Sequence, residues 1–417
     1  MKPYPVLICG AESRARRLLC LLGILLVTSL GAANGAVFSD ESAKTGPPDS
    51  NPQVRAALDD FYNLQYDKAV TQFERILKAH PDDPFAVTHL LQAVVFRELY
   101  RLNLLDTTLY AHDGFLSGRP VNGDPAVRTQ VEQLTAQAVN LCNERLQKDP
   151  NNVNALYARG VAHGLRATYM ALVDKRYVAA LRNALAARRD HERVLQLDRS
   201  YVDAKTVVGA HNYVVGSLPV PVKMLAGVAG ISGSKKKGLQ YLEEAAKAGG
   251  ESSVDARVAL ALFLRREARY NDATNVVKTL VAEYPKNYLF GLEDCNLLKD
   301  GGKGPAAIAC YEKLLDGVKA GEYAGAHVGF ASFGLAESLR GQRHYKDALA
   351  EYEFTSGLPG GQPSLKQRAS LAAGEIYDLL SERPQAVLEY QSVIAQDNSS
   401  AQAVLARKLL RQPYRAQ

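Results

Sequence analysis

Chemistry would have to come from the histidines, from a glycine–lysine stretch, or from a nucleophile beside a base. The eight histidines (His80, His89, His112, His163, His191, His211, His327, His344) form no pair with Cys or carboxylates at the short, repeated spacing a metal site needs. They read as surface or core imidazoles. His163, His191 and His211 share one stretched region, but three scattered helices are not a motif. GVAGISGSKKKG (227–238) has the composition of a phosphate loop without its order. Ser232 stands where the second glycine belongs, Ser234 separates Gly233 from Lys235, and no convincing strand precedes. The stretch reads as a turn, with Lys235–Lys237 opening a solvated helix although cations are disfavoured at that end. No G-x-S-x-G element occurs, and no Cys/His or Ser/His spacing can be argued. The expectation is a chain that is not an enzyme and holds no cofactor or metal.

One other stretch stands out. VPVKMLAGVAGISG (219–232) is apolar and is followed by three lysines. It is either an inserted helix packed on the body of the protein or a membrane-surface contact with lysines near anionic head groups.

The chain that must position these residues has 417 of them, a prior of about three domains or one extended array. With 47% hydrophobic and 23% charged residues it can build a core, which excludes wholesale disorder and a small disulfide scaffold. Its net charge is +6, of which residues 1–36 supply Lys2, Arg14, Arg16 and Arg17 against Glu12, leaving +3 without them. A charge so near neutral gives no support to nucleic-acid binding, which needs a clustered basic face.

Residues 1–36 read as an export signal. Arg14, Arg16 and Arg17 precede a 13-residue apolar run, Leu18–Leu30, and small residues follow to Ala36. The run is short for a membrane span, which takes about 20 apolar residues, although Leu18–Ala36 as an uncleaved anchor is the alternative. Cys20 lacks the small residues a lipoprotein site would place before it. The expected destination is the periplasm or the cell exterior. Cys142, Cys295 and Cys310 then remain, an odd number that permits at most one internal bridge. They read as three buried small hydrophobes, or as a Cys295–Cys310 bridge between adjacent helices.

A repeat organises the rest. Val254–Asn287 contains two helical patterns joined at Tyr270-Asn271-Asp272, apolar at Val258, Leu260, Ala261 and Leu264 and then at Ala273, Val276, Val277 and Leu280. Pro285 closes the unit. A small residue on the first helix is followed 12 residues later by Ala on the second: Ala57/Ala69, Ala261/Ala273, Cys295/Ala307, Ala336/Ala348 and Gly374/Ala386. Four residues further comes a larger side chain: Phe73, Val277, Tyr311, Tyr352 and Tyr390. Small residues let the two backbones approach, and the larger ones, on the same helical face, fill the gap between hairpins.

These segments resemble tetratricopeptide repeats, the 34-residue helix-turn-helix unit. LQYDKAVTQFERILKAHPDD (64–83), NNVNALYARGVAH (151–163) and LAESLRGQRHYKDALAEYE (335–353) carry the likeness, which covers nearly all of residues 50–410. The resemblance implies an all-α solenoid of helical hairpins in a right-handed superhelix. Its concave groove would be lined by first helices and would hold a peptide or protein partner. Exposed first-helix residues would make the contacts: Asn154, Tyr157, Asn212, Tyr213, Arg265, Arg266, Asn296, Lys299, Glu337 and Arg340. Tyr and Arg are frequent hot spots, which favours Tyr157, Tyr213, Arg265, Arg266 and Arg340. The carboxylate clamp of chaperone-tail-binding members is absent. Asn296 and Lys299 match part of it, but Leu292 stands where Lys is wanted, and the neighbouring helices offer Val258, Leu262, Phe333 and Glu337.

The departures mark specialised hairpins. No clean second helix follows Ala69 before the loop around Gly114–Gly123, Gly160 is answered only at Ala187, and Gly209 and Gly238 are separated by the 217–237 insertion. The expected layout is a signal at 1–36, a flexible leader at 37–52, irregular hairpins at 53–250, regular repeats at 251–400, and a capping helix with tail at 401–417. The expected function is a protein- or peptide-binding scaffold of the cell envelope, using a groove from Val153 to Arg340. The alternative is a membrane-surface or lipid-associated factor using residues 217–237.

Overall fold

A computed structural model describes residues 51–110, 121–228, 230–323 and 327–415. The signal-like segment, residues 37–50 of the leader and the glycine loop near Gly114 lie outside them. All regular structure among the described residues is helical, and the chain divides into two compact units after Tyr284. The division falls one hairpin beyond 250, where the regular repeats begin in sequence.

The first unit contains α1 (Pro52–Tyr62), α2 (Tyr66–Ala79), α3 (Pro84–Arg101), α4 (Pro125–Lys148), α5 (Val153–Leu172), α6 (Tyr177–Leu197), α7 (Ala204–Gly216), α8 (Val220–Val228), α9 (Lys235–Ala248), α10 (Ser253–Arg266) and α11 (Tyr270–Glu283). Three of these start on an Asx–Pro pair. Asn51, Asp83 and Asp124 each accept a hydrogen bond from a first-turn amide, and the following proline occupies a position whose own N–H would be unsatisfied. The second helix missing from the sequence pattern after Ala69 is α4, delayed by a connection that contains a 3₁₀ turn at Thr107–Leu109.

The second unit contains α12 (Tyr288–Asp300), α13 (Gly304–Lys319), α14 (Gly329–Gly341), α15 (Tyr345–Gly357), α16 (Pro363–Leu379), α17 (Arg383–Gln396) and the capping helix α18 (Ala401–Arg411). Hairpin turns in both units share one device. A residue with positive φ follows the first helix, as at Ala268 (56°), Gly302 (73°), Arg343 (63°) and Ser381 (63°). The next amide then returns to a carbonyl five residues back, as from His344 to Leu339 at 2.9 Å. Only one of these four positions is glycine, so the turn left little trace in the sequence.

The small-residue pairs are where the helices meet. Ala57, Ala69, Ala273, Ala307, Ala336, Ala348 and Ala386 are wholly buried, as are Phe73, Tyr311, Tyr352 and Tyr390. Gly374 is pressed against Tyr390, and a Cβ there would lie 2.6 Å from the ring. The pattern survives in the irregular hairpins at wider spacing. Gly160 of α5 lies under the His191 ring and the Ala187 carbonyl of α6, because both helices are longer than their counterparts. Gly209 of α7 faces Gly238 of α9, so α8 is a loop-out and the hairpin is α7–α9.

Cys295 and Cys310 are joined by a disulfide across the α12–α13 hairpin, which corrects the reading of all three cysteines as unpaired hydrophobes. The two positions face each other at a helix crossing, with Cα atoms 5.4 Å apart, within disulfide reach. Cys142 is free and buried, as read. The bridge closes a short loop, so its loss in Cys295→Ala/Cys310→Ala is expected to lower stability by about 3 kcal/mol. Denaturant melts of oxidised, reduced and doubly substituted protein measure this, with the last two coinciding.

Candidate functional site

The groove is read from the first helix of each hairpin, and the two units treat those helices differently. In the first unit four of the five are buried nearly all round, 15 of 18 residues in α3, 16 of 20 in α5, 11 of 13 in α7 and 11 of 14 in α10, while the opening α1 buries 4 of 11. In the second unit the figures are 6 of 13 in α12, 8 of 13 in α14 and 9 of 17 in α16, which leaves a face accessible on each.

The first unit is shut by contacts between residues far apart in sequence. His89 Nε2 on α3 lies 2.5 Å from Glu251 Oε1, both buried. Tyr62 of α1 donates its hydroxyl proton to Asp255 Oδ2 of α10 at 3.2 Å, and its ring lies 5.2 Å from that of Tyr284. Around Glu251, Asp203 accepts from the Ser252 amide at 2.6 Å, and the Ser252 and Thr206 hydroxyls are 2.7 Å apart. The 3₁₀ segment then covers the end of α10. Arg266 donates to the Tyr110 carbonyl at 2.7 Å, and Arg265 reaches the Thr107 hydroxyl at 3.5 Å.

This closure corrects several expected contact residues. Tyr157 is wholly buried, with the rings of Tyr201 and His191 at 4.9 and 5.1 Å, and burial pushes its hydroxyl well above the ordinary tyrosine range. Tyr213 is buried too, stacked on Phe263 at 3.9 Å and donating to Glu267 at 2.8 Å. Arg265 and Asn212 are likewise interior. These are core residues, not surface contacts. Arg266 and Asn154 are half-buried.

The buried imidazoles give the first unit a pH dependence. Burial pushes His191 down to about 4 and His211 down to about 3, from an ordinary 6.5. In the unfolded chain both take up protons below pH 6.5, whereas in the folded unit they do so only near those lower values. Their contribution to stability is therefore complete above pH 6.5 and is lost as the pH falls toward 4. Each group gives a slope of about 1.4 kcal/mol per pH unit between the two pKa values. Thermal melts across that range are expected to show it, and His191→Gln should remove about one proton from the slope.

In the second unit three of the four sequence-derived candidates keep partial exposure. The first helices α12, α14 and α16 are neighbours. Lys299, Glu337 and Arg340 are half-buried on them, while Asn296 is interior and accepts from the Tyr311 hydroxyl at 2.6 Å. Arg340 pairs with Glu375 of α16 at 2.7 Å, Lys299 lies 3.4 Å from Asp300, and Glu337 accepts from the Tyr352 hydroxyl. Burial raises the Glu375 carboxyl, with the Arg340 guanidinium working against it. This face offers paired charges and hydrogen-bond groups. Among the described residues no group of three or more His, Cys, Asp or Glu is placed to hold a metal ion.

The inserted helix α8 is the most exposed apolar feature described. Val220 is 71% and Met224 69% exposed, one turn apart. Lys223 is exposed beside them, Lys235 pairs with Glu267 at 2.7 Å, and Lys237 lies 5.2 Å from the Tyr241 ring. No helix among the described residues is long and apolar enough to cross a membrane.

No family model and no curated protein matches the chain. Solved structures do. The chain is similar to the APC/C hetero-tetramer Cut9–Hcn1 at 12% identity and a TM-score of 0.49, covering 86% of this chain and 55% of that one. It is similar to yeast Tom70 at 13% identity and a TM-score of 0.38, covering 96% of this chain and 74% of that one. A tetratricopeptide repeat protein from Parabacteroides merdae is similar at 13% identity and a TM-score of 0.33, with 76% and 95% covered. This chain thus spans about half the length of the first. The tetratricopeptide-type, all-α repeat fold rests on the hairpins themselves, with their small-residue crossings and shared turn.

Proposed function

We propose that the chain is a non-enzymatic scaffold of the cell envelope that binds a protein or peptide on the first-helix face of its second unit. The observation that carries this reading is the contrast between the units. In the first, α3, α5, α7 and α10 are buried nearly all round, whereas in the second α12 keeps Lys299, and α14 keeps Glu337 and Arg340, partly exposed. Paired charges at the edge of a buried aromatic layer are the composition of a specific recognition surface. The disulfide supports an oxidising compartment, in keeping with the signal-like segment. The groove proposed is thus narrower than Val153–Arg340, and charge reversal at buried Arg265 would test folding, not binding.

The experiment is recovery of partners from an envelope extract with the parent chain and with Lys299→Glu/Arg340→Gln. A partner retained by the parent and lost by the folded variant supports the reading. Unchanged retention removes it.

A second reading is favoured by one observation, the exposure of Val220 and Met224 on a lysine-flanked helix. Such a helix lies on an anionic bilayer surface with its apolar side chains in the interfacial zone. Flotation of the parent with anionic vesicles, lost in Val220→Glu/Met224→Glu, would establish it. Equal flotation of both, or of neither, would remove it.

A further inference from the structure

The tail that follows α18 returns onto the second unit's first helices. Gln412 is extended, with φ −133° and ψ 112°, and Pro413 keeps the segment extended. The Tyr414 amide then donates to Asp378 Oδ2 of α16 at 2.7 Å. Its ring sits with the Arg340 guanidinium 5.2 Å from the centroid and packs against the cluster of Leu371, Tyr390 and Leu409.

The receiving groups are prepared for that role. The Asp378 side chain is 1% exposed and already accepts from Arg383 at 2.9 Å and from the Tyr390 hydroxyl at 2.8 Å. A carboxylate held in this way is a fixed acceptor aimed at a backbone N–H. Arg340 is anchored by Glu375 at 2.7 Å, with its guanidinium over the aromatic ring. An extended segment, an amide on a buried carboxylate and an aromatic ring on a guanidinium together make a peptide-binding mode. The peptide here belongs to the chain itself.

We infer that residues 412–415 are a self-ligand occupying the binding face of the second unit. A partner displaces them by presenting an extended segment with an aromatic side chain for Arg340 and a backbone N–H for Asp378. This rests on the scaffold reading and names its site and ligand class. A tail tethered a few residues from its site has an effective concentration in the millimolar range, so it competes well with a weak external peptide and yields to a stronger one.

The probe is a fluorescein-labelled synthetic peptide of residues 410–417, titrated by anisotropy into three proteins: the full chain, the chain ending at Arg411, and full-length Tyr414→Ala. The tail lies beyond the last helix, and melting curves verify that both altered chains are folded. The truncated chain and Tyr414→Ala are expected to bind the peptide roughly tenfold more tightly than the full chain. Binding should weaken several-fold when the peptide's tyrosine is alanine, or when Arg340→Gln is placed in the truncated chain. Absence of binding by both folded, tail-released proteins at millimolar peptide would overturn the inference and make the tail a permanent lid. The peptide assay needs no envelope partner, so the two ideas fail separately. Partner capture lost on Lys299→Glu/Arg340→Gln with no peptide binding keeps the scaffold and discards the self-ligand. Peptide binding with no captured partner does the reverse.

Discussion

His89→Ala is expected to destabilise the first unit by about 3–5 kcal/mol, read as a shift in its denaturation midpoint. The loss has two sources. Removing the ring opens a cavity beside Phe73, whose ring is stacked on the imidazole at 5.5 Å. It also strands the Glu251 carboxyl, 4% exposed, without its hydrogen-bond partner, and a buried polar group left unpaired is costly. Replacing both partners by apolar residues, His89→Leu/Glu251→Met, should cost clearly less than the single change, because no orphaned group remains. Equal losses in single and double variants would mean that the pair does not latch the unit. The latch joins α3 to the turn before α10, so the single variant should also raise hydrogen exchange in both helices.

The second large effect is expected at Gly238. A methyl group there would sit 2.5 Å from the Tyr213 amide nitrogen and 2.7 Å from the Gly209 carbonyl oxygen. Both obstacles are backbone, so α7 and α9 would have to separate along their shared seam. Gly238→Ala should therefore cost about 3 kcal/mol, against the usual gain of an alanine inside a helix. Gly341→Ala is the control. Nothing lies within 4 Å of the place its methyl group would take, and the change should be neutral or stabilising by up to about 1 kcal/mol. Similar melting curves for the two variants would contradict a close approach of backbones at Gly238.

Much of the fold was legible because its signals are local. Small residues 12 apart, with a larger side chain four further on, mark the helix crossings, and even the irregular pairs Gly160/Ala187 and Gly209/Gly238 mark real ones. The closure of the first unit was not legible. His89 and Glu251 are 162 residues apart and Tyr62 and Asp255 are 193 apart, and no periodicity connects positions at such separations. Once the unit closes, first-helix positions that an open solenoid would expose become core, so Tyr157 and Tyr213 change role without any change in pattern. Arg340 stayed accessible because its unit does not close in this way. The tail gave no signal at all, since a single tyrosine after a proline carries none until Asp378 and Arg340 are seen beneath it. Cys295 fits the small-residue pattern and the bridge equally well, and helix positions decided between them.

Binding on the second unit is tested most directly by mapping where a partner protects the chain. The protein recovered from an envelope extract would be added back, and hydrogen exchange followed along every helix. New protection is expected on α12, α14 and α16, with release of residues 412–415, and none on α3, α5 and α7, which exchange slowly from the start. Protection confined to the first unit, or to the second helices α13, α15 and α17, would contradict a ligand on the first-helix face.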